Sequence, residues 1–228
     1  MNPYMMLARF AADWVRLSRL LDPATQRELR KPLAELRTRR AGGECDENIA
    51  EQAVHTVLSA LPTDEAARLR QDGTTARFTG APQAAQYDGY SAVDLCMLVL
   101  DSNPMVGPVL GPVRDRLLRA PALTLTENAA HGRDTAHPAV DPRLIVLAGE
   151  YGEKHLPAFQ FEAGNMPWAV VLEVNSVLGS GTDPWGAADW WLSPHSWWGA
   201  PPAELVGHGR DDELLTAAHA LVGADEGW

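Results

Sequence analysis

The chain has 228 residues, of which 46% are hydrophobic and 21% are charged, and its net charge is −11. This composition is typical of a folded globular protein and excludes an intrinsically disordered one. Two cysteines, Cys45 and Cys96, lie far apart without a CxxC pair, which indicates reduced thiols rather than a disulfide scaffold. No stretch is typical of a signal peptide or a membrane-spanning helix, so we expect a cytoplasmic protein that does not enter a membrane.

Negative charge is concentrated in the later part of the chain. Residues 1–70 contain eleven Arg and Lys against ten Asp and Glu, whereas residues 71–228 contain eight against twenty. An acidic surface repels nucleic-acid phosphates and favours basic partners. Any nucleic-acid binding is therefore expected in residues 1–70.

Residues 1–70 are predicted to form an N-terminal helical unit. One apolar stripe predicts a single first helix through Leu7, Phe10, Trp14, Leu17 and Leu21. Asp22, which is followed by a proline, is typical of the start of a second helix, and Pro32 should kink or split that helix. Asp46 is typical of the cap of a third helix, and a short fourth one is expected over residues 63–70.

The second of these helices carries a basic edge that allows two interpretations. In the functional one, its cations bind nucleic-acid phosphates through Arg30, Lys31, Arg37, Arg39 and Arg40. In the other, they form a solvated helix face with the interleaved carboxylates of Glu28 and Glu35. We favour the solvated face, and a DNA-binding transcriptional regulator is the alternative function.

The middle of the chain is predicted to contain a linker followed by a degenerate winged helix-turn-helix. Residues 71–90 are rich in Gly, Thr, Ala and Gln, which indicates a linker or long loop. Residues 91–165 are expected to form central helices and one β-hairpin. Ser91 and Asp94 form a capping-box pair at the start of the first central helix, although its apolar body would also suit a buried strand.

The later part of this central segment combines a second helix start with a hairpin. Residues 124–127 form a capping box, and prolines stand where a recognition helix would follow. The hairpin strands are expected over residues 144–147 and 158–161. The proline-containing loop before them holds the densest polar cluster, formed by His131, Arg133, Asp134, His137 and Asp141.

A catalytic or metal site in that loop is a third hypothesis for the function. Its two histidines lack a third ligand at the spacing of a metal site, and the chain contains no recognised catalytic motif. We therefore expect no enzymatic activity, no metal and no cofactor.

The last third of the chain contains seven of its eight tryptophans. Start and stop signals predict four short helical segments over residues 167–178, 184–192, 202–206 and 211–222, the last of them ending at Gly223. Leu214, Ala218, Leu221 and Val222 are expected to form the buried stripe of the last helix. Adjacent helical residues point about 100° apart, so we expect one tryptophan of each adjacent pair in the core and the other at a contact surface.

Two runs in this third, residues 185–206 and 209–218, resemble the toxin-binding domain of the Xre/MbcA/ParS antitoxin family. That domain has a tryptophan-containing helix, a proline turn, the motif L-x-G-x-x-P-x-E-L-L and a last amphipathic helix. Gly199, Pro202, Glu204 and Leu205 match the motif, whereas Trp197 replaces its first leucine. Val206 replaces the last leucine. The resemblance covers residues 156–222.

The resemblance implies an antitoxin-type protein without catalysis of its own, which binds and neutralises a RES-domain toxin that degrades NAD. It implies a partner-binding surface formed by Trp190, Trp191, Trp197, Trp198, Gly199, Pro202, Glu204, Arg210, Asp211 and Trp228. Many family members also form homodimers and repress their own promoter, but through an N-terminal helix-turn-helix that this chain does not recognisably contain.

The expected fold is therefore mainly α. It combines an N-terminal helical unit (1–70), a linker (71–90), a degenerate winged-helix-like segment with one β-hairpin (91–165) and a C-terminal bundle of short helices (166–228) as the toxin-binding domain.

Overall fold

The computed structural model describes residues 2–42, 46–71, 85–125, 141–163 and 166–225. The fold is mainly helical, as the sequence predicts, with one two-stranded and one three-stranded antiparallel sheet in the described residues. The chain divides into two units, Met1–Val113 and Arg114–Trp228. None of the described helices combines the length and apolarity that crossing a bilayer requires.

The N-terminal unit contains most of the helices. They are α1 (Pro3–Ala12), α2 (Trp14–Leu20), α3 (Pro23–Ala41), α4 (Glu47–Ala60), α5 (Thr63–Gln71) and α6 (Ala92–Leu100), with a hairpin of β1 (Gln86–Tyr87) and β2 (Tyr90–Ser91) before α6. Helix α7 (Gly107–Leu118) contains the boundary between the units. The predicted caps Asp22, Asp46 and Ser91 all accept hydrogen bonds from the first turns of their helices, which confirms these helix starts.

Two details of the predicted helices are wrong. The first helix is interrupted, because Asp13 leaves the helical conformation and caps the end of α1 and the start of α2. Pro32 does not split α3, which continues from Pro23 to Ala41. Pro32 is buried beside Leu29 and Leu33, so its packing offsets the backbone hydrogen bond that it cannot donate.

Helix α6 belongs to the core of the N-terminal unit rather than to a separate central segment. Its apolar residues form a helix and not a strand, and the Ser91–Asp94 capping box is present. Leu95 and Cys96 lie in one buried cluster with Leu7 of α1 and Leu33 of α3. The boundary between units therefore lies after α6, because a helix that is apolar on all sides needs neighbours on several faces.

Part of the predicted linker is a tight hairpin. Residues 72–84 lie outside the described part of the chain, but Asp88 and Gly89 form a two-residue turn that pairs Tyr87 with Tyr90. Both turn residues have positive φ, 50° and 79°. Asp-Gly is a preferred sequence for this turn because glycine adopts positive φ without strain. The signal Tyr-Asp-Gly-Tyr was present in the sequence.

The buried thiol of Cys96 leads to a test of this core. Burial raises the pKa of Cys96 to about 12, and its Sγ donates to the carbonyl oxygen of Leu33 at 3.7 Å. We expect a Cys45→Ser variant not to react with a thiol reagent at pH 8 until it is unfolded, because the thiolate is the reactive form. Absorbance with a chromogenic disulfide, with and without denaturant, measures this. Rapid reaction of the native variant would contradict the packing of α6.

The C-terminal unit combines a small sheet with short helices. Its elements are β3 (Ala122–Leu125), β4 (Leu147–Ala148), β5 (Lys154–Pro157), a 3₁₀ turn (Ala158–Gln160), α8 (Ala169–Val177), α9 (Pro184–Leu192), a second 3₁₀ turn (Pro202–Leu205) and α10 (Asp211–Asp225). The strand order is β3-β5-β4, and both pairs are antiparallel. A hairpin does form here, but the predicted strands are wrong: only residue 147 of the first lies in β4, and the predicted return strand 158–161 follows β5, with residues 158–160 in a 3₁₀ turn.

The helix predicted from the capping box at residues 124–127 is wrong where the structure describes it. Thr124 and Leu125 belong to β3 and pair with His155 and Lys154 of β5. A sheet ladder here overrides a local helix signal. The remainder of that helix lies outside the described residues.

In the last third the predicted starts of α9, the second 3₁₀ turn and α10 are confirmed, whereas α8 begins at Ala169 and not at Pro167, which pairs with Phe161 in a β-bridge. Asp183 accepts a hydrogen bond from the backbone of Gly186 at the start of α9.

The end and the buried face of α10 also differ from the prediction. Helix α10 continues through Gly223 to Asp225 instead of ending there. Its buried residues are Leu214, Ala217 and Ala218, whereas Leu221 is 45% exposed. The small side chains allow α10 to pack against α8.

Candidate protein-binding surface

Two adjacent tryptophans of α9 lie in the core of the C-terminal unit. Trp191 is fully buried and Trp190 is 8% exposed. The ring centroid of Trp191 lies 5.0 Å from those of Phe159 and Trp190. The expectation that one residue of each adjacent pair faces outwards is wrong for this pair, because the segment that follows α9 covers the face of Trp190. Neither of these predicted contact residues is accessible to a partner in this structure.

A buried polar network holds Trp191 in place. Its indole Nε1 donates to Asn175 Oδ1 at 2.8 Å. The amide of Asn175 donates to the carbonyl oxygen of Arg143 at 2.9 Å and to Gln160 Oε1 at 3.2 Å. Gln160 in turn accepts from the backbone of Ile145 at 2.7 Å and donates back to it at 3.0 Å. The network joins α8, α9, the first 3₁₀ turn and the segment before β4.

His195 connects this core to the exposed tryptophans. Its ring centroid lies 6.1 Å from that of Trp190 and 5.2 Å from those of Trp197 and Trp198. Trp197 is 60% exposed, and Trp198 is partly buried. The aromatic rings therefore form a continuous series from a fully buried residue to one at the surface. His195 is not among the residues that the sequence predicts for the site, and only its packing identifies this role.

The loop that presents Trp197 is closed by main-chain hydrogen bonds. The carbonyl oxygen of His195 accepts from the amides of Trp198 at 3.1 Å and Gly199 at 2.8 Å, and the amide of His195 donates to Ala200 at 3.0 Å. Gly199 has φ +68°, a conformation that glycine adopts without strain. Trp197 is thus held outwards by a defined turn.

Two polar atoms under this loop have no hydrogen-bond partner among the described residues. They are Nε1 of Trp190 and Nδ1 of His195, both inaccessible to solvent. An unpaired buried polar group costs about 1–3 kcal/mol. The packing of the Trp190 and His195 rings therefore has to offset the free-energy cost of leaving these two nitrogen atoms unpaired.

The first turn of α10 provides the charged side of the surface. Arg210 donates to both carboxylate oxygens of Glu213, at 3.0 and 2.5 Å, and Trp198 Nε1 donates to Glu213 Oε2 at 3.3 Å. The guanidinium of Arg210 lowers the pKa of Glu213 and the carboxylate raises that of Arg210. This triad fixes the Trp198 ring against the helix.

Beside this triad lies an open groove of about 450 Å³, which we call the tryptophan groove. It is lined by Trp197, Trp198, Arg210, Asp212, Glu213 and Thr216. Asp212 and Thr216 were not predicted as site residues, although their spacing of four residues places them on one helix face.

The other predicted contact residues occupy different environments. Glu204 and Asp211 are exposed, whereas Pro202 is buried at the start of the second 3₁₀ turn. Trp228 lies outside the described residues. Pro202 therefore shapes the turn rather than the surface.

The basic residues of α3 are mostly engaged within the N-terminal unit. Arg30 donates to the carbonyl oxygens of Val99 and Leu100, at 2.5 and 2.9 Å. Arg37 pairs with Asp101 at 2.8 Å, and Arg39 lies within 3.3 Å of carboxylate oxygens of Glu35 and Asp46. Lys31 is exposed and Arg40 is partly buried. These pairings leave little of the predicted basic edge for phosphates.

The polar loop of the third hypothesis is described only at its end. Asp141 accepts from the guanidinium of Arg143, which lowers its pKa to about 2. The other four residues of the cluster lie outside the described part of the chain. Within the described ranges, no three His, Cys, Asp or Glu side chains are grouped so as to hold a metal ion.

Comparisons with known proteins complete the description of this surface. Neither the protein-family models, nor the curated proteins, nor the solved structures contain a match to this chain. The similarity to the antitoxin family therefore rests on the residues of the chain alone.

Proposed function

We propose that this chain is an antitoxin-type protein that binds a partner protein through the tryptophan groove of its C-terminal unit. The observation that carries the proposal is Trp197, which is 60% exposed on a turn closed by hydrogen bonds and supported by a buried aromatic base. A large aromatic side chain that is already held in place loses little conformational entropy on binding. Tryptophan is also enriched among the residues that dominate binding energy.

The proposed partner is a RES-domain toxin that degrades NAD. Support comes from the order of motifs over residues 156–222, in which Gly199 and Pro202 form the turns that the family motif requires. In this proposal the chain carries out no reaction itself and neutralises the toxin by occupying its surface.

The experiment measures the loss of NAD caused by a purified RES-domain toxin in the presence and absence of this chain. We expect the chain to suppress NAD loss in proportion to the amount added. Unchanged NAD loss, with both proteins folded by circular dichroism, would disprove the proposal.

Replacing Trp197 with alanine should weaken the complex by about 30-fold, the effect of an interface residue worth about 2 kcal/mol. Leu221→Ala is the matched control, because Leu221 is also an exposed apolar residue but does not line the groove. Titration calorimetry with the toxin measures both variants. Equal weakening by the two variants would mean that Trp197 is not the anchor.

DNA binding through α3 is the weaker proposal, because Arg30, Arg37 and Arg39 already hold carbonyl or carboxylate oxygens of their own unit. DNA binding would be seen as retardation of promoter DNA in a gel. The retarded fraction would fall steeply as the salt concentration rises, since phosphate contacts release counterions.

A further inference from the structure

The tryptophan groove combines an exposed aromatic ring with unpaired negative charge. Trp197 forms its apolar side, and Asp212 stands in the first turn of α10. No described residue pairs with the Asp212 carboxylate, whereas the neighbouring Glu213 is held by Arg210. The groove therefore contains one carboxylate whose charge is not balanced by a described side chain.

The C-terminal unit that contains the groove is also acidic as a whole. Residues 114–228 contain 16 Asp and Glu and seven Lys and Arg, which gives a net charge of −9 out of −11 for the chain. A net negative charge raises the local concentration of basic partners and speeds their association, although the groove itself also contains Arg210. An acidic partner segment would be repelled.

The internal triad shows which group fits beside this helix. The guanidinium of Arg210 makes a bidentate contact with Glu213, whose Oε2 also accepts from Trp198. Asp212 and the exposed ring of Trp197 line the same groove, which offers a second guanidinium a carboxylate and an indole together. Cations are attracted to the face of an indole ring, and arginine combines this contact with paired hydrogen bonds to a carboxylate.

We infer that the tryptophan groove takes a basic segment of the partner protein, with an arginine side chain against the Trp197 ring and its guanidinium beside Asp212. The inference rests on the proposed function, since it specifies the chemistry of the partner at the same surface. Binding of this arginine is therefore expected to depend on both the Trp197 ring and the Asp212 carboxylate.

The first test uses peptides instead of the toxin. The probes are a Gly-Arg repeat, a counterpart with citrulline in place of arginine, and a Gly-Glu repeat. Citrulline keeps the shape and removes the charge. We expect the arginine peptide to shift the indole N–H resonances of Trp197 and Trp198 in a nitrogen–proton NMR spectrum, and the other two peptides to leave them unchanged. Equal binding of the citrulline peptide would overturn the inference.

Three variants locate the contact. Trp197→Ala and Asp212→Asn should each weaken binding of the arginine peptide about tenfold. Glu162→Gln is the matched control, because it removes one exposed carboxylate of the same unit that does not line the groove. Equal weakening by Asp212→Asn and Glu162→Gln would mean that only the overall charge attracts the peptide, and would overturn the inference. Unchanged melting temperatures exclude unfolding as the cause.

The same variants in the toxin experiment separate the two ideas. If the toxin is neutralised equally well by the parent and by Asp212→Asn at every salt concentration, the proposed function stands and the basic occupant is disproved. If the arginine peptide binds in the groove while the toxin is not bound, the proposed partner is wrong and the chemistry of the groove is supported.

Discussion

Replacing Trp191 with alanine is expected to lower the free energy of unfolding by about 3–5 kcal/mol. Trp191 is fully buried, and its ring contacts Phe159 and Trp190 with centroids 5.0 Å apart. The substitution removes this packing, leaves a cavity and deprives Asn175 Oδ1 of its donor. Urea unfolding followed by far-ultraviolet circular dichroism measures the loss.

Trp197→Ala is the matched control for this prediction. The same substitution at a 60% exposed ring should change stability by no more than about 0.5 kcal/mol. Trp191→Phe should fall between the two, because it keeps an aromatic ring but loses the indole donor. Similar losses at Trp191 and Trp197 would contradict the division into a buried base and an exposed contact.

The second large effect is expected for Asn175→Ala, which should cost more than about 2 kcal/mol. The variant leaves a cavity and removes the acceptor of Trp191 Nε1, whereas the carbonyl oxygen of Arg143 keeps the Ser180 hydroxyl as a donor. Each buried polar group left unpaired costs about 1–3 kcal/mol. Thermal and urea unfolding both report the change, and the midpoint should fall without a change in slope.

Ser176→Ala provides the control on the next residue of α8. Its hydroxyl also makes a hydrogen bond, to the carbonyl oxygen of Leu172, but the side chain is exposed to solvent. Water can replace that bond, so the loss should be no more than about 0.5 kcal/mol. A comparable cost at both positions would mean that the burial of Asn175 does not matter.

The stability of the buried base should also affect the function, because the base positions the exposed ring of Trp197. The Asn175 network holds Trp191, Trp191 packs on Trp190, and His195 continues the series to Trp197. A partly destabilised base should therefore weaken partner binding even though its residues do not line the groove. Variants at Trp191 and Asn175 should accordingly be compared in the binding assay only at temperatures where they are folded.

The sequence alone was sufficient to predict the helix starts at Asp22, Asp46, Ser91 and Asp183. In each, a side-chain oxygen reaches a backbone amide two or three residues ahead, so the whole interaction is local and visible in the sequence. The mainly α fold class was predictable from the same kind of local signal, whereas the predicted strands of the hairpin missed the positions of β4 and β5. The Asp-Gly turn of β1–β2 also has a local sequence signal, but the Gly, Thr, Ala and Gln around it indicated a linker instead.

The tertiary structure decided what depends on residues far apart in the sequence. It placed residues 124–125 in β3, because pairing with β5 outweighs a local cap. It buried both Trp190 and Trp191 and exposed Leu221, since burial depends on which element covers a helix face and not on helical spacing alone. The last third of the chain was recognisable as a helical module from its own residues. Only packing identified Trp197 as the tryptophan of its cluster that faces outwards, because exposure is a property of the assembled unit.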